Sequence, residues 1–436
     1  MTLLILIKPD DYLICIVNII NNNIMQKWQN KILLTSWITY ASYYLIRVNL
    51  PVAIPGIIKE FHFSKTEIGA VLSALFFAYA FGQFVNGQLA DRFGAKKIVF
   101  VGLVASAIIN LFFGFTGAIL TGMILLWGLN GFFQSMGWSP IVKTVASWFP
   151  RENRGRAAGI LATAYIAGSA LSWLLAGYIL KSFDWRWVFI APAFITIAVA
   201  FYWHTKIKNT CEEAGFPPVE ICEDDAPNEP KKLRANIKFI LRSKQIWLAA
   251  FSLFGLNIVR YGFLDWAPTF FFEVHKAPIS TAVFKALIFP AAGILGALFT
   301  GWASDKLVKG RQELLAAGML ILLAVSALLF RFIPKEDWLF SLITLGVIGF
   351  LTFGPHMLIV TALPMDLGTK ERAASATGFI DGWGYIGASI TGLGTGLLLD
   401  YFSWDAAFYF WISGAVIAAI FMMILWNSRK TMAQKW

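Results

Sequence analysis

The polar stretch at residues 87–97 reads GQLADRFGAKK, and residues 301–311 repeat its pattern as GWASDKLVKGR. Each stretch follows a long apolar block, and their acids, Asp91 and Asp305, lie 214 positions apart (305 minus 91). A second pair of similar stretches, FDWRWVF and FSWDAAF, begins at residues 183 and 402, an offset of 219 (402 minus 183). The sequence therefore predicts two halves of similar build that follow one another along the chain.

The blocks between these polar stretches are long and apolar enough to cross a lipid bilayer. Of the 436 residues, 58% are hydrophobic and only 14% are charged, whereas a soluble protein keeps roughly a quarter of its residues charged. A helix of about 20 apolar residues crosses a hydrocarbon core about 30 Å thick. We predict an all-α membrane protein with twelve transmembrane helices in two pseudo-symmetric six-helix bundles. The predicted spans lie near residues 31–57, 66–90, 96–118, 121–147, 155–180, 186–206, 244–273, 279–305, 311–333, 337–364, 372–400 and 404–428.

The predicted domains follow the polar segments of the chain. Residues 1–24 form an N-terminal extension, in which Lys8-Pro9-Asp10-Asp11 is expected to prevent a span, and Met25 is an alternative start of translation. The other domains are an N-terminal bundle at 25–206, a linker at 207–243, a C-terminal bundle at 244–428 and a tail at 429–436. Lys and Arg are more frequent in the loops that follow even-numbered spans. Because cytoplasmic loops are enriched in these residues, we expect both termini on the cytoplasmic side of a plasma (inner) membrane.

Composition also argues against several classes of protein. The formal net charge of +11 comes from cations in short loops, whereas nucleic-acid binding requires a basic patch on a folded surface. The three cysteines lack the spacing of metal ligands, and the four histidines are scattered along the chain. We therefore expect no nucleic-acid partner, no metal, no cofactor and no enzyme activity. The expected partners are the lipid bilayer and a small anion, and the expected state is a monomer.

Two arginines are predicted to lie within the membrane at matching positions. Arg47 lies mid-span in SWITYASYYLIRVNLPVAIP, and Arg260 lies mid-span in FSLFGLNIVRYGFLDWAPTF, 213 positions later (260 minus 47). An ionisable residue at membrane depth is costly and therefore points to function. The planar guanidinium suits bidentate binding of phosphate or carboxylate, and an anion between two of them would draw the halves together. The alternative is that each arginine pairs with a local acid, for which Asp265 lies five positions from Arg260.

Aromatic and polar residues are predicted to line a cavity around the two arginines. Tyrosine hydroxyls donate to polar ligands while the rings form the wall. The candidate ligand-contacting residues are Tyr40, Tyr44, Tyr79, Gln134, Trp138, Tyr165, Tyr261 and Tyr385. Asp381, in GFIDGWGYIGAS, is either a proton-carrying acid, because burial favours the protonated carboxyl, or a countercharge for an arginine. Asp265 is a second candidate for these roles.

The stretch at residues 87–97 also has a mechanical interpretation. Asp91 can accept hydrogen bonds from cations or helix N-termini of neighbouring spans when one side of the protein is closed. Gly87 and Gly94 permit close helix approach and a tight turn. We therefore predict a gating loop formed by Gly87, Asp91, Arg92, Gly94 and Asp305.

The pattern G-x-L-A-D-R-x-G-x-K-K and the parallel repeat are typical of major facilitator transporters. Within that superfamily the chain resembles the organophosphate:phosphate antiporters from Met25 onwards, in YYLIRVNL, GFFQSMGWSP, RYGFLDWAPTF and GFIDGWGYIGASITG. The resemblance implies exchange of inorganic phosphate for an organic phosphate of the glycerol-phosphate, sugar-phosphate or phosphoglycerate type, by a rocker-switch motion. It places the family's phosphate-binding arginines at Arg47 and Arg260. It places the family's cavity aromatic residues at Tyr40, Tyr44, Tyr79, Trp138 and Tyr385.

Three positions depart from this family. Val48 stands where members often have Lys, Gln83 where glycerol-phosphate carriers have Lys, and Tyr165 where they have His. The loss of these cations lowers the positive potential of the cavity, so the charge and shape of the substrate are open.

Two alternative functions follow from other features. The stretches RVNLPVAIP and WFPRENRGRAAGI suit the anion:cation symporters equally well, which implies proton-coupled uptake of a carboxylate with Asp381 as the acid. Arg260 favours phosphate exchange, because it supplies a second cation. The other alternative is a sugar-phosphate sensor that binds its ligand without transporting it.

Overall fold

The computed structural model describes residues 9–217, 238–308, 311–334, 336–364 and 373–433, with most side chains described from Ile24 onwards. These residues form helices and loops, and no β-strand occurs among them. The helices are α1 (Pro9–Leu45), α2 (Leu50–Phe61), α3 (Lys65–Phe93), α4 (Ala95–Gly114), α5 (Leu120–Gln134), α6 (Trp138–Trp148), α7 (Arg151–Ile179), α8 (Trp187–Lys206), α9 (Lys244–Glu273), α10 (Ile279–Ala286), α11 (Ile288–Lys306), α12 (Gln312–Arg331), α13 (Trp338–Met357), α14 (Ala373–Tyr401) and α15 (Trp404–Ala433). A 3₁₀ turn lies at Glu212–Ala214, and a π-helical turn at Leu358–Ala362 follows α13.

The predicted all-α membrane fold is confirmed. In the described part of the chain, nine helical segments are long and apolar enough to cross a membrane. They are Ile24–Phe61, Ala95–Gly114, Arg156–Ile179, Trp187–Lys206, Lys244–Glu273, Ile279–Ser304, Gln312–Arg331, Trp338–Thr361 and Trp404–Ser428. The predicted spans two, four and eleven lie on α3, on α5 with α6, and on α14. Each predicted span therefore lies mainly on helical chain, and the number of twelve spans stays a prediction.

Helix α1 begins earlier than the sequence suggests. The helix is continuous from Pro9 to Leu45, so the Pro9-Asp10-Asp11 segment lies in its first turn and does not interrupt it. Proline fits the first turn because its missing N–H has no intrahelical partner there. Carboxylates are also favoured at this end by the helix dipole.

The helices pair in the same way in both halves of the chain. In the first half α1 packs on α7, α3 on α5 and α4 on α8, and in the second half α9 packs on α14, α11 on α13 and α12 on α15. The related polar stretches that begin at residues 87 and 301 contain the C-terminal ends of α3 and α11. The related aromatic stretches that begin at residues 183 and 402 lead into α8 and α15.

The two halves are in backbone contact at the face where α3 begins and α14 ends. We call it the opposite face because α1 begins and α15 ends at the other side. A Cβ added at Gly69 would lie 2.4 Å from the carbonyl oxygen of Gly392, and one added at Gly396 would lie 2.3 Å from that of Lys65. Small residues permit such backbone contact between membrane helices. Helices α3 and α14 therefore touch through their backbones at this face.

Polar groups tie the same two helices together. Asp400, at the end of α14, accepts hydrogen bonds from the backbone N–H groups of Lys65 at 3.0 Å and Thr66 at 2.7 Å. It thereby satisfies two of the unpaired donors at the start of α3. The Lys65 ammonium also pairs with Glu273 of α9 at 3.0 Å. All these contacts join one half to the other, so the protein is closed at the opposite face.

The predicted tight turn at Gly94 is present. Gly94 joins α3 to α4 with φ 84° and ψ 144°, a conformation that favours glycine, and the next turn is held by a bond from Lys96 N–H to Asn209 Oδ1 at 2.8 Å. Arg92 is exposed and lies over the ring of Phe93 at 5.2 Å. The side chains of Asp91 and Asp305 and the surroundings of Gly87 lie outside the described residues, so the gating contacts stay a prediction.

Gly396→Ala is expected to loosen the closed face, because the added Cβ meets backbone that cannot rotate away. Overpacking of this kind costs ~1–3 kcal/mol, and ~1.4 kcal/mol corresponds to a factor of about ten in an equilibrium. Ser389 of α14 donates to the carbonyl oxygen of Ser73 of α3 at 3.3 Å and so reports on this contact. In a background without native cysteines, a maleimide should therefore label Ser389→Cys about tenfold faster when Gly396→Ala is added. Gly159→Ala is the control, since a Cβ there meets nothing within 4 Å. Equal labelling rates in all three proteins would contradict the backbone contact.

Candidate functional site

The first transmembrane segment is broken at Arg47. Helix α1 ends at Leu45 and α2 begins at Leu50, with an irregular turn between them. Pro51 sits in the first turn of α2, where it cannot continue the hydrogen bonding of α1. The apolar sequence predicts one continuous helix here, whereas the break places Arg47 in a turn at membrane depth.

The carbonyl groups freed by the break are bonded to side chains of three other helices. The carbonyl oxygen of Ile46 accepts from Asn110 at 3.1 Å and Asn130 at 3.0 Å. The carbonyl oxygen of Val48 accepts from the indole N–H of Trp173 at 3.0 Å. Backbone in a membrane interior must find such partners because water is absent. Helices α4, α5 and α7 therefore hold the turn that carries Arg47.

The predicted ligand residue Gln134 belongs to this support. Its side-chain amide donates to the carbonyl oxygen of Tyr43 at 3.1 Å, and only 1% of the residue is exposed. Gln134 does not line the cavity described below. A polar side chain at membrane depth favours contact with a ligand. The break in α1 instead leaves the carbonyl group of Tyr43 in need of a hydrogen-bond donor, which Gln134 supplies.

Arg47 is enclosed by aromatic rings. Its guanidinium carbon lies 4.3 Å from the ring centre of Tyr79, 5.1 Å from that of Tyr44 and 5.6 Å from that of Tyr385. Only 4% of Arg47 is exposed. Its Nε and Nη2 atoms have no hydrogen-bond partner among the described residues. Ring faces stabilise a cation, but they leave these N–H donors free for an anion.

Arg260 lies on the continuous helix α9 and has a similar aromatic surrounding. Its guanidinium carbon lies 4.9 Å from the ring centre of Tyr261, 5.1 Å from that of Phe353 and 5.4 Å from that of Tyr165. Nη1 lies 2.9 Å from Nε2 of His356. The Nε atom has no hydrogen-bond partner in the part of the chain that the structure describes, and the residue is 3% exposed.

The two arginine environments form one cluster. The ring of Tyr385 packs on that of Tyr79 at 4.5 Å, and the ring of Phe76 packs on that of Tyr261 at 4.3 Å. Among the ion pairs of the described residues, none involves Arg47 or Arg260. Buried cations without such a partner are costly, and an anion would lower that cost.

The two candidate acids occupy different positions. Asp265 is buried and interacts electrostatically with Arg47 and Arg260. Within the described ranges its Oδ2 atom has no hydrogen-bond partner. Asp381 is half-buried and lines the cavity. The position of Asp265 fits a countercharge, whereas Asp381 is accessible to a ligand or a proton.

A cavity of about 450 Å³ lies beside Arg260. Its wall contains seven of the predicted residues: Tyr40, Tyr44, Trp138, Tyr165, Arg260, Asp381 and Tyr385. It also contains Gln83, Asn257, His356 and Val360. The cavity shares Gln83, Trp138, Asp381 and Tyr385 with a wider vestibule of about 1320 Å³, so the site is open on the side away from the closed face.

Three other predicted residues lie just behind this wall. Arg47, Tyr79 and Tyr261 are in contact with the cluster but are not part of the cavity surface. Four cavity residues are not among the predicted site residues, namely Gln83, Asn257, His356 and Val360. For His356 the sequence holds one signal, the preceding Gly354-Pro355, and the structure adds the π-helical turn that begins at Leu358, a feature that is frequent at functional sites.

Comparison with known proteins gives the context of this site. The family model described as Major Facilitator Superfamily matches residues 36–392. The chain is 35% identical to a glycerol-3-phosphate transporter of Bacillus subtilis, over 90% of this chain and 91% of the relative. It is 30% identical to a membrane sensor protein, UhpC, of Escherichia coli, over 92% and 93% of the two chains. A bacterial homologue of the human lysosomal transporter Spinster has a similar fold, with a TM-score of 0.75, 15% identity, and 94% and 98% of the chains covered.

Asn110→Leu tests the support of the Arg47 turn. Besides its bond to Ile46, the Asn110 amide oxygen accepts from Asn49 at 2.9 Å, so the change leaves buried polar groups unpaired at similar volume. The expected loss of stability is about 1–3 kcal/mol, measured as a lower midpoint of thermal unfolding in detergent. The control is Asn153→Leu, because Asn153 is exposed. A midpoint equal to that of the unmodified protein would show that these hydrogen bonds do not hold the turn.

Proposed function

Because this chain belongs to the Major Facilitator Superfamily, we propose that it is a transporter that exchanges an organic phosphate for inorganic phosphate. It is an integral membrane protein that crosses the bilayer several times. The proposed substrates are of the glycerol-phosphate, sugar-phosphate or phosphoglycerate type. We also propose that both termini are cytoplasmic in a plasma (inner) membrane, so that the vestibule opens to the cytoplasm.

The observation that carries this proposal is the pair of buried guanidinium groups in one aromatic cluster. Arg47 presents free Nε and Nη2 donors, and Arg260 presents a free Nε donor. A guanidinium binds phosphate through parallel N–H bonds, and tyrosine hydroxyls around it donate further bonds. The relative from Bacillus subtilis, a glycerol-3-phosphate transporter, favours the same class of substrate.

The charge of the site favours exchange over one-way transport. Arg47 and Arg260 belong to different halves, and two guanidinium groups repel each other in a medium of low dielectric. An anion between them removes this repulsion and holds the halves together. The site would then change its access from one side of the membrane to the other only with an anion bound, so that one anion must return for each anion carried out.

Besides a central anion site, a rocker switch needs two faces that close in turn, and we propose that the closed opposite face is one of them. Opening that face requires breaking the bonds between Asp400 and the start of α3, together with the pair between Lys65 and Glu273. The anion site would close from the vestibule side as these contacts separate. In this proposal the gating loop at Gly87–Gly94 then forms the matching contacts at the other face.

Two alternatives each have one observation in their favour. Asp381 lines both the cavity and the vestibule, a position that suits proton-coupled symport of a carboxylate. The similarity to a membrane sensor protein of Escherichia coli favours a sensor that binds without transporting.

Phosphate-loaded proteoliposomes are expected to take up labelled phosphate in exchange for internal phosphate, and external glycerol 3-phosphate should compete. Arg47→Lys and Arg260→Lys should each lower the rate at least about tenfold, because Lys keeps the charge but loses the bidentate fork. Arg331→Lys is the matched control, since Arg331 pairs with Asp405 away from the cavity.

The other outcomes separate the three functions. No labelled phosphate exchange with glycerol 3-phosphate, a hexose phosphate or phosphoglycerate would contradict the proposal. Carboxylate uptake that needs a pH gradient and is lost in Asp381→Asn would support the symporter. Binding of a phosphoester in a thermal-shift assay, with no exchange, would support the sensor.

A further inference from the structure

His356 joins Arg260 to a tyrosine of the other half. Its Nε2 atom lies 2.9 Å from Nη1 of Arg260, and its Nδ1 atom lies 3.1 Å from the hydroxyl oxygen of Tyr165. Tyr165 lies on α7 in the first half, whereas Arg260 and His356 lie on α9 and α13 in the second half. All three residues line the cavity. The imidazole therefore bridges the halves at the depth of the anion site.

The chemistry of these groups fixes the direction of both hydrogen bonds. A guanidinium has N–H donors and no acceptor, so Nε2 of His356 must accept from Arg260. A neutral imidazole with one accepting nitrogen carries its hydrogen on the other. Nδ1–H therefore donates to the Tyr165 oxygen, and the hydroxyl hydrogen of Tyr165 is left to donate to a third group.

That third group is an acceptor in the cavity. Asp381 lines the same wall, and an anion bound by Arg260 would offer its oxygens there as well. An ionised phosphoryl group presents three acceptor oxygens, whereas a carboxylate presents two. When Arg47 binds two oxygens through its Nε and Nη2 donors and Arg260 shares one of them through Nε, a phosphoryl group keeps a third oxygen for Tyr165, whereas a carboxylate does not.

We propose that Tyr165 donates a hydrogen bond to the third oxygen of a bound phosphoryl group, and that His356 is the positioning residue that orients this donor. The pair thereby selects phosphoryl substrates over carboxylates. This inference rests on the proposed function, since it assigns a specificity role within the same anion site.

The test is a set of binding measurements on purified full-length protein with inorganic phosphate as the probe. Loss of a hydrogen bond to a charged group should raise the dissociation constant about tenfold or more. Tyr165→Phe and His356→Phe should each do so, and the double variant should be no worse than His356→Phe alone. Adding Tyr165→Phe to His356→Phe should have no further effect because His356 acts through Tyr165.

His356→Gln is the conservative variant. Its amide oxygen accepts from Arg260 and its NH₂ group donates to Tyr165, so the dissociation constant should stay within about threefold of the unmodified protein, well below the tenfold loss expected for a hydrogen bond to a charge. The controls are Tyr178→Phe on the same helix and His204→Phe, both exposed positions. In competition assays, Tyr165→Phe should weaken glycerol 3-phosphate and leave glycerate unchanged.

Several results would overturn the inference. They are additive effects in the double variant, a His356→Gln variant as impaired as His356→Phe, or an equal loss for glycerol 3-phosphate and glycerate. If His356→Phe does not fold, His356→Leu, which also lacks both hydrogen bonds, takes its place alone and combined with Tyr165→Phe. Unmodified protein that binds no phosphate would contradict the proposed function, whereas normal phosphate binding by Tyr165→Phe would contradict this inference alone.

Discussion

The site depends on the backbone of the broken first segment. Each carbonyl group released between Leu45 and Leu50 would cost several kcal/mol if it stayed unpaired in the membrane. Side chains from neighbouring helices remove this cost, Asn110 and Asn130 at Ile46 and Trp173 at Val48. The same bonds tie α4, α5 and α7 to the turn that carries Arg47. Hydrogen bonds to backbone carbonyl groups therefore fix Arg47 in the first half. Arg47 is thus held in position by α4, α5 and α7.

The second half holds its arginine differently. Arg260 stands on an unbroken helix, and a side chain, His356, fixes its Nη1 group. This difference matters for the proposed exchange, in which the halves would move relative to each other while the anion stays bound. Tyr165 reaches across from the first half to His356. At the anion site the halves meet through hydrogen bonds and aromatic rings, whereas at the opposite face they meet through glycine backbones and the Asp400 carboxylate.

Much of the fold follows from the sequence, because a membrane allows few solutions for a long apolar segment. The apolar blocks predicted the helical spans, and the offset between Arg47 and Arg260 predicted that both belong to one site. The break at Arg47 was not predicted, since the residues around it are apolar and fit a continuous helix. For the same reason Gln134 was assigned to the ligand, although its partner is a carbonyl group that only the break exposes. His356 was left out because a lone histidine near a glycine and a proline fits helix packing as well as it fits a binding site. Its role depends on the distance to Arg260, which no local pattern contains.

The central claim is that Arg47 and Arg260 bind one phosphoryl group between the two halves. The most direct measurement is an experimental structure of the protein with glycerol 3-phosphate bound, at a resolution that defines the phosphate oxygens. The account predicts a single phosphoryl group with oxygens within hydrogen-bond distance of both guanidinium groups. A phosphoryl group bound by one arginine alone, or held elsewhere while both arginines pair with Asp265 and Asp381, would contradict it.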